Sequence, residues 1–316
     1  MKAFLPILAL LWGLSGAGLL RAAERDIRHA FPVQPGCRLK IDSYRGRIEV
    51  TESDEPEVKI LIHLEIGGET EADARRVLDG LQLDVQARDN AVSIVARNPR
   101  ETRVRWFWQE DEQIELMYYI SVPRQCSVDV KTGTGSITVG RLAGHMAARI
   151  EKGNIFFRSV EGSLDASAEF GDIVVSRCLG PLTARVLKGK IRAGTLGGSA
   201  DLKISSGDVE VMMARGAITA RAVAGDLTVG FPRTIGGEAR LATSGGSIFA
   251  SIDPLANCRI EASAVWGRVE CRVPGVAGSL SSGSKLAAQL NTGGPLLTMR
   301  ASGGGVTIES GETLFE

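Results

Sequence analysis

Gly171-Asp172-Ile173-Val174-Val175-Ser176-Arg177-Cys178-Leu179-Gly180-Pro181-Leu182-Thr183-Ala184-Arg185-Val186-Leu187-Lys188-Gly189 is one unit of the pattern that decides the fold. Its three glycines stand nine residues apart. The same beat runs back through Gly162, Gly153, Gly144 and Gly135 and forward through Gly198, Gly207, Gly216 and Gly225. A fixed period held this long marks a stacked repeat, in which each unit buries its apolar side against its neighbours. Inside the unit, Ile173 and Val175 alternate with polar or outward positions, as do Leu182, Ala184 and Val186. Period-two alternation belongs to strands with one buried face.

The two glycines of each unit play alternate parts, so the true repeat is 18 residues. Short strands recur at Ile137, Ile155, Ile173, Ile191, Val209 and Leu227, and longer ones at Met146, Leu164, Leu182, Ala200 and Ile218. Like strands returning every coil predict an all-β, parallel β-solenoid of two facing sheets, rising about 4.8 Å per coil. Both sets of corner glycines are expected to supply positive φ for tight turns. Helices are excluded because no twelve residues from Gly135 to Gly225 lack glycine. Past Gly225 the strand motif returns at Gly246, Gly267 and Gly305, at wider intervals that imply coils with enlarged corners.

Residues 24–125 differ. They hold one similar unit, Gly46-Arg47-Ile48-Glu49-Val50, several further strands, and an apolar pattern over 69–81 headed by Thr70 and Asp73 that predicts a capped helix. We read this segment as an α+β cap on the open end of the solenoid formed by 126–316, since an uncapped end exposes strand edges and core. Ahead of it, Met1-Lys2, the apolar run Ala3 to Leu14 and the small residues Ser15-Gly16-Ala17 read as a secretory signal peptide over 1–23. The expected location is extracytoplasmic, periplasmic or secreted, with no spanning helix after signal removal.

The leader Cys37-Arg38-Leu39-Lys40-Ile41, with Gly171-Asp172-Ile173-Val174-Val175 strands in a glycine-spaced array, resembles the bacterial putative-adhesin family. That resemblance covers about Phe31 to Glu309 and implies an exported β-solenoid domain of unknown function. It implies no catalytic residues.

The chain carries 37 basic and 37 acidic residues, so no net field draws it to nucleic acid. Local charge is more informative. The eighteen-residue register places Arg149, Arg185, Lys203 and Arg221 in one outward column, interrupted by Ser167. Like charges on adjacent strands are unfavourable. Solvated surface charge is the commoner reading, with Glu151, Asp165, Glu169 and Asp201 as neutralisers. The alternative is a site for an acidic glycan, a lipid head group or an envelope protein.

A second candidate is the cluster Trp106, Phe107 and Trp108. It reads as a plug for the solenoid's end or, alternatively, as a binding platform. The Gly-Asp steps at Asp172, Asp208 and Asp226 invite a calcium reading. Ser136, Asn154 and Lys190 fill the same slot in other coils, however, and calcium needs six to eight oxygens. Turn chemistry and charge pairing, with Arg192 beside Glu210, account for them better.

No metal site, cofactor or catalytic residue is expected, because nucleophile-elbow, P-loop and zinc-protease motifs are lacking. His29, His63 and His145 are scattered. The five cysteines, Cys37, Cys126, Cys178, Cys258 and Cys271, are read as buried thiols, with a Cys258–Cys271 bridge as an option. The leading expectation is a non-enzymatic binding or scaffold protein of the cell envelope. A polysaccharide lyase or hydrolase, or a partner in an envelope-stress complex, is the alternative.

Overall fold

The structure is a computed structural model that describes residues 23–66, 81–98, 114–277 and 283–311. Among these residues there is no helix. Strand Ile173–Cys178 pairs in parallel with Ile191–Leu196, which pairs with Val209–Ala214 and then Leu227–Phe231. Strand Leu182–Lys188 does the same with Ala200–Ser206, Ile218–Ala224 and Ala239–Thr243. Each step is the 18-residue register, Ile173 to Ile191 and Leu182 to Ala200. The molecule is therefore a parallel β-solenoid of two facing sheets.

Alternation places the core between the sheets. Ile173, Val175, Leu182, Ala184 and Val186 are buried, and so are their counterparts in neighbouring coils. Full burial of a Leu, Ile or Val side chain stabilises by roughly 1.5–3 kcal/mol, repeated at every layer. One inward column runs Ala148, Ala166, Ala184, Leu202, Ala220. Small side chains there let the two sheets approach within a short coil.

The corner glycines have two separate causes. Gly189 sits at φ 151°, and Gly171, Gly207 and Gly225 share the left-handed half of the map. The alternate glycines do not, which corrects the expectation that both corners need positive φ. At Gly198 the constraint is close approach: a Cβ would lie 2.4 Å from the carbonyl oxygen of Gly180 in the coil beneath.

Toward the N-terminus, strand Arg38–Ser53 forms a whole coil stacked on Ser127–Leu142 in both sheets, with Gly46 beside Gly135. Ala91–Arg97 and then Gln82–Arg88 extend the long-strand sheet. Asp89 and Asn90, at φ 50° and 59°, make the tight turn between them. Ile114–Pro123, Glu57–Ile66 and Ala23–Pro32 extend the other sheet. Residues 1–22 of the expected signal peptide over 1–23, residues 69–80 of the expected helix, and Trp106, Phe107 and Trp108 lie outside the described residues.

Two sequence expectations are corrected. Cys37 and Cys126 are not thiols but a disulfide, with Cα atoms 4.7 Å apart. They precede Arg38 and Ser127, which are stacking partners, so the register brings them together. Cys178 and Cys258 are buried thiols and Cys271 is half-buried, without a Cys258–Cys271 bridge. Those two belong to strands Cys258–Ala264 and Val269–Cys271, on opposite sheets of one coil.

The coils past Gly225 do not stack in chain order. Ala239–Thr243 pairs with Leu296–Ala301, and that strand pairs with Cys258–Ala264 on its other edge. Likewise Val306–Ser310 lies between Ile248–Ile252 and Val269–Cys271. The chain skips one layer and fills it with its final coil. Lys285–Leu290 then runs antiparallel along the outer edge of Cys258–Ala264.

Candidate functional site: a basic groove

The long-strand sheet sends alternate side chains outward, and the register aligns one set of them. Asp42, Lys131, Arg149, Ser167, Arg185, Lys203, Arg221, Ala242 and Arg300 follow one another on successive strands. The four cations named from the sequence thus share one column, joined by Lys131 and Arg300. Flanking Ile150, Val186 and Ile204 are buried, which holds the column's backbone rigidly.

Charge compensation is incomplete. Arg149 meets Asp129 at 3.5 Å and Lys203 meets Asp201 at 2.7 Å. Among the described residues Lys131, Arg185, Arg221 and Arg300 make no ion pair. Of the acids expected to neutralise the column, Asp201 does so, whereas Glu151, Asp165 and Glu169 have no cation within 4 Å among the described residues. Solvent-exposed pairs contribute only about 0–1 kcal/mol, so neither existing pair commits its cation strongly.

Beside the column runs a groove of about 1030 Å³. One wall is the cations. The other is the residue two places further along each strand, and its character changes along the solenoid. It begins with Glu151 and Glu169, then continues as Leu187, Ser205, Val223, Ser244 and Ser302. Leu187 is 50% exposed and Val223 62%. Val265 extends this wall, its N–H donating to the Ala301 carbonyl, and the next residue, Trp266, is 86% exposed. The half of the groove from Arg185 to Arg300 is therefore basic on one side and apolar with hydroxyls on the other. Sequence reasoning missed Lys131, Arg300, Leu187, Val223 and Trp266. Lys131 was reachable by stepping back one repeat from Arg149, and Leu187 and Val223 by stepping two places on from Arg185 and Arg221.

The opposite sheet uses its charges internally. Asn154 Oδ1 accepts the Asp172 N–H at 2.9 Å, Asp172 Oδ1 the Lys190 N–H at 2.9 Å, Asp208 Oδ1 the Asp226 N–H at 3.2 Å, and Asp226 Oδ1 the Ser247 N–H at 2.7 Å. The Gly-Asp acids are corner caps between coils. Arg192 lies 3.4 Å from Asp172 and 3.9 Å from Glu210, and Lys190 lies 3.1 Å from Asp208. The Asp226 N–H, and after it Lys190, holds the Asp208 carboxyl below its ordinary value.

Other candidates are also accounted for locally. Tyr118 is buried, its Oη 2.9 Å from Ser43 Oγ, and burial pushes its phenol up to about 12. His63 pairs with Asp26 at 2.7 Å, His145 with Ser163 at 2.7 Å, and His29 stacks on Phe31. A smaller hollow of about 660 Å³ beside Arg28, Glu49, Lys59 and Tyr119 has mixed charge, and Lys59 is already paired with Glu55 and Glu57. No group of three or more metal-ligating side chains occurs among the described residues.

Comparison with known proteins bears on most of the chain. The family described as Toastrack DUF4097 matches residues 37–309. Similar solved structures include a putative adhesin from Bacteroides fragilis, at 15% identity, covering 90% of this chain and 97% of that one with a TM-score of 0.34. A putative adhesin from Parabacteroides distasonis shows 13% identity, coverage of 90% and 97%, and a TM-score of 0.45. A putative lipid binding protein from the same species shows 12% identity, coverage of 90% and 96%, and a TM-score of 0.43. No curated protein matches the chain.

Proposed function

This chain belongs to the Toastrack DUF4097 family, and from that premise we propose that it is an exported, non-enzymatic envelope protein whose basic groove holds an anionic ligand. The observation that carries the reading is the column itself. Arg185, Lys203 and Arg221 occupy three successive strands, although like charges so placed oppose one another by roughly 0.2–1 kcal/mol per pair. Among the described residues Arg185 and Arg221 have no ion-pair partner. An arrangement that costs stability in the free protein is relieved when an anion enters.

The supporting geometry is a shallow, continuous groove rather than a closed pocket, which suits binding along an extended ligand. The test is retention on a carboxylated or sulfated polysaccharide resin over a salt gradient. Wild type should be retained at low salt and released as salt rises, because exposed charges are screened over about 10 Å at 0.1 M. The double substitution Arg185→Glu and Lys203→Glu should abolish retention without unfolding the protein. Retention unaltered by that double reversal would sink the reading.

A further inference from the structure

We infer that the ligand of this groove is a linear carboxylated polysaccharide, a polyuronate, laid along the solenoid axis with one sugar ring per coil. The inference rests on the groove being an anion site, and it adds the ligand's chemistry from the groove's spacing and from its second wall.

Spacing comes first. Successive strands of the column are separated by the inter-strand step, about 4.8 Å. An extended acidic peptide presents same-side carboxylates only every second residue, about 6.6–6.8 Å apart, and falls out of register within a few coils. A pyranose ring linked through opposite positions advances by about one such step, and because successive rings of an extended polyuronate turn their carboxylates to opposite sides, same-side carboxylates recur every second coil, the spacing of Arg185, Arg221 and Arg300. Guanidinium groups grip carboxylates through paired N–H donors, which suits Arg185, Arg221 and Arg300.

The second wall decides against the other anions. An acyl chain needs an unbroken apolar track, but Ser205 separates Leu187 from Val223, and Ser244 and Ser302 follow. A polyphosphate has no C–H surface and would leave Leu187 and Val223 in water. A sugar ring offers both C–H faces and hydroxyls, so it matches a wall of mixed aliphatic and serine side chains. The exposed indole of Trp266 stands at the end of that wall, and amphipathic aromatics of this kind are favoured at recognition surfaces. From Arg185 to Arg300 there are five layers, about 19 Å at the inter-strand spacing.

The experiment is calorimetric titration of the full chain with oligouronates of two to eight rings. Parallel arms use the same oligomers with their carboxylates reduced to alcohols, inorganic polyphosphate, and phosphatidylglycerol vesicles. Affinity should rise with length to about five rings and then level, and it should vanish on carboxylate reduction. The variant Leu187→Ser with Val223→Ser, both exposed and so compatible with folding, should weaken oligouronate binding about tenfold through lost apolar contact. Its thermal midpoint should stay at the wild-type value. Vesicles or polyphosphate binding as well as oligouronates, no dependence on length, or indifference to the Leu187/Val223 change would each overturn the inference while leaving an anion groove. Failure of every anion to bind would overturn the groove reading as well.

Discussion

Replacing Gly189 by alanine should damage this protein far more than the addition of one methyl group implies. Gly189 sits at φ 151°, a region nearly closed to side-chain residues, and forcing alanine there costs on the order of 1–3 kcal/mol. The new Cβ would also lie 2.0 Å from the Gly171 carbonyl oxygen in the neighbouring coil. Relief requires the two coils to separate locally by about 1 Å, which strains the bonds from Gly171 N–H to Lys188 and from Gly189 N–H to Ser206. Overpacking of this kind costs roughly 1–3 kcal/mol, and weakened backbone bonds add about 1 kcal/mol each.

The sum is about 4 kcal/mol or more. Gly36 is the internal control: it also has positive φ, 81°, but a Cβ there would meet nothing within 4 Å. Gly36→Ala therefore carries only the backbone term, about 1–2 kcal/mol. In thermal melts the Gly189→Ala midpoint should fall below that of Gly36→Ala by roughly 6–12 °C, at about 2–4 °C per kcal/mol. Equal midpoints would show that coil stacking does not enforce glycine at this corner.

Two further outcomes follow from local chemistry. The Cys37–Cys126 disulfide joins residues 89 apart in sequence. Reduction, or paired Cys→Ser substitution, should lower stability by about 4–5 kcal/mol on the chain-entropy account, and thiol titration of the unfolded oxidised protein should count three free thiols from residues 37 onward. The His63–Asp26 pair should make stability pH-dependent in both directions. Its hydrogen bond raises the imidazole above 6.5 and holds the carboxyl below 3.8. The histidine contribution is full below about 6.5 and is lost as pH rises through the raised value, whereas the carboxylate contribution is full above about 3.8 and is lost as pH falls through the lowered one. An NMR titration of His63 with a midpoint at or below 6.5, or a midpoint indifferent to Asp26→Asn, would contradict this.

Much of the architecture was legible because a solenoid turns sequence spacing into spatial register. Nine residues between glycines defined half a coil, and eighteen gave each outward side chain its neighbours, so Arg149, Arg185, Lys203 and Arg221 could be aligned from the sequence. What escaped depends on contacts that break the period. Cys37 and Cys126 meet only because the Gly46 coil stacks on the Gly135 coil across a long insertion. Leu187 and Val223, by contrast, obey the period: they lie two places beyond Arg185 and Arg221 on the same outward face. Arg300 does not, because its layer is out of chain order.

The final coil shows the same limit and also shapes the groove. In a solenoid stacked in chain order, the terminal layer has one free edge and frays first. Here the last strands, Leu296–Ala301 and Val306–Ser310, are bonded along both edges, while the earlier coil Cys258–Cys271 lies outside them. These two strands are thus held one layer inside the stack, and the covering coil is tied down by Lys285–Leu290. That insertion places Arg300 next to Ala242, directly in line with Arg221. Had the coils stacked in sequence order, Ser263 would stand beside Ala242 and the basic column would stop at Arg221. The skipped layer therefore does two things at once: it gives strands Leu296–Ala301 and Val306–Ser310 partners on both edges, and it extends the cationic wall by the residue that gives the groove its five-layer reach.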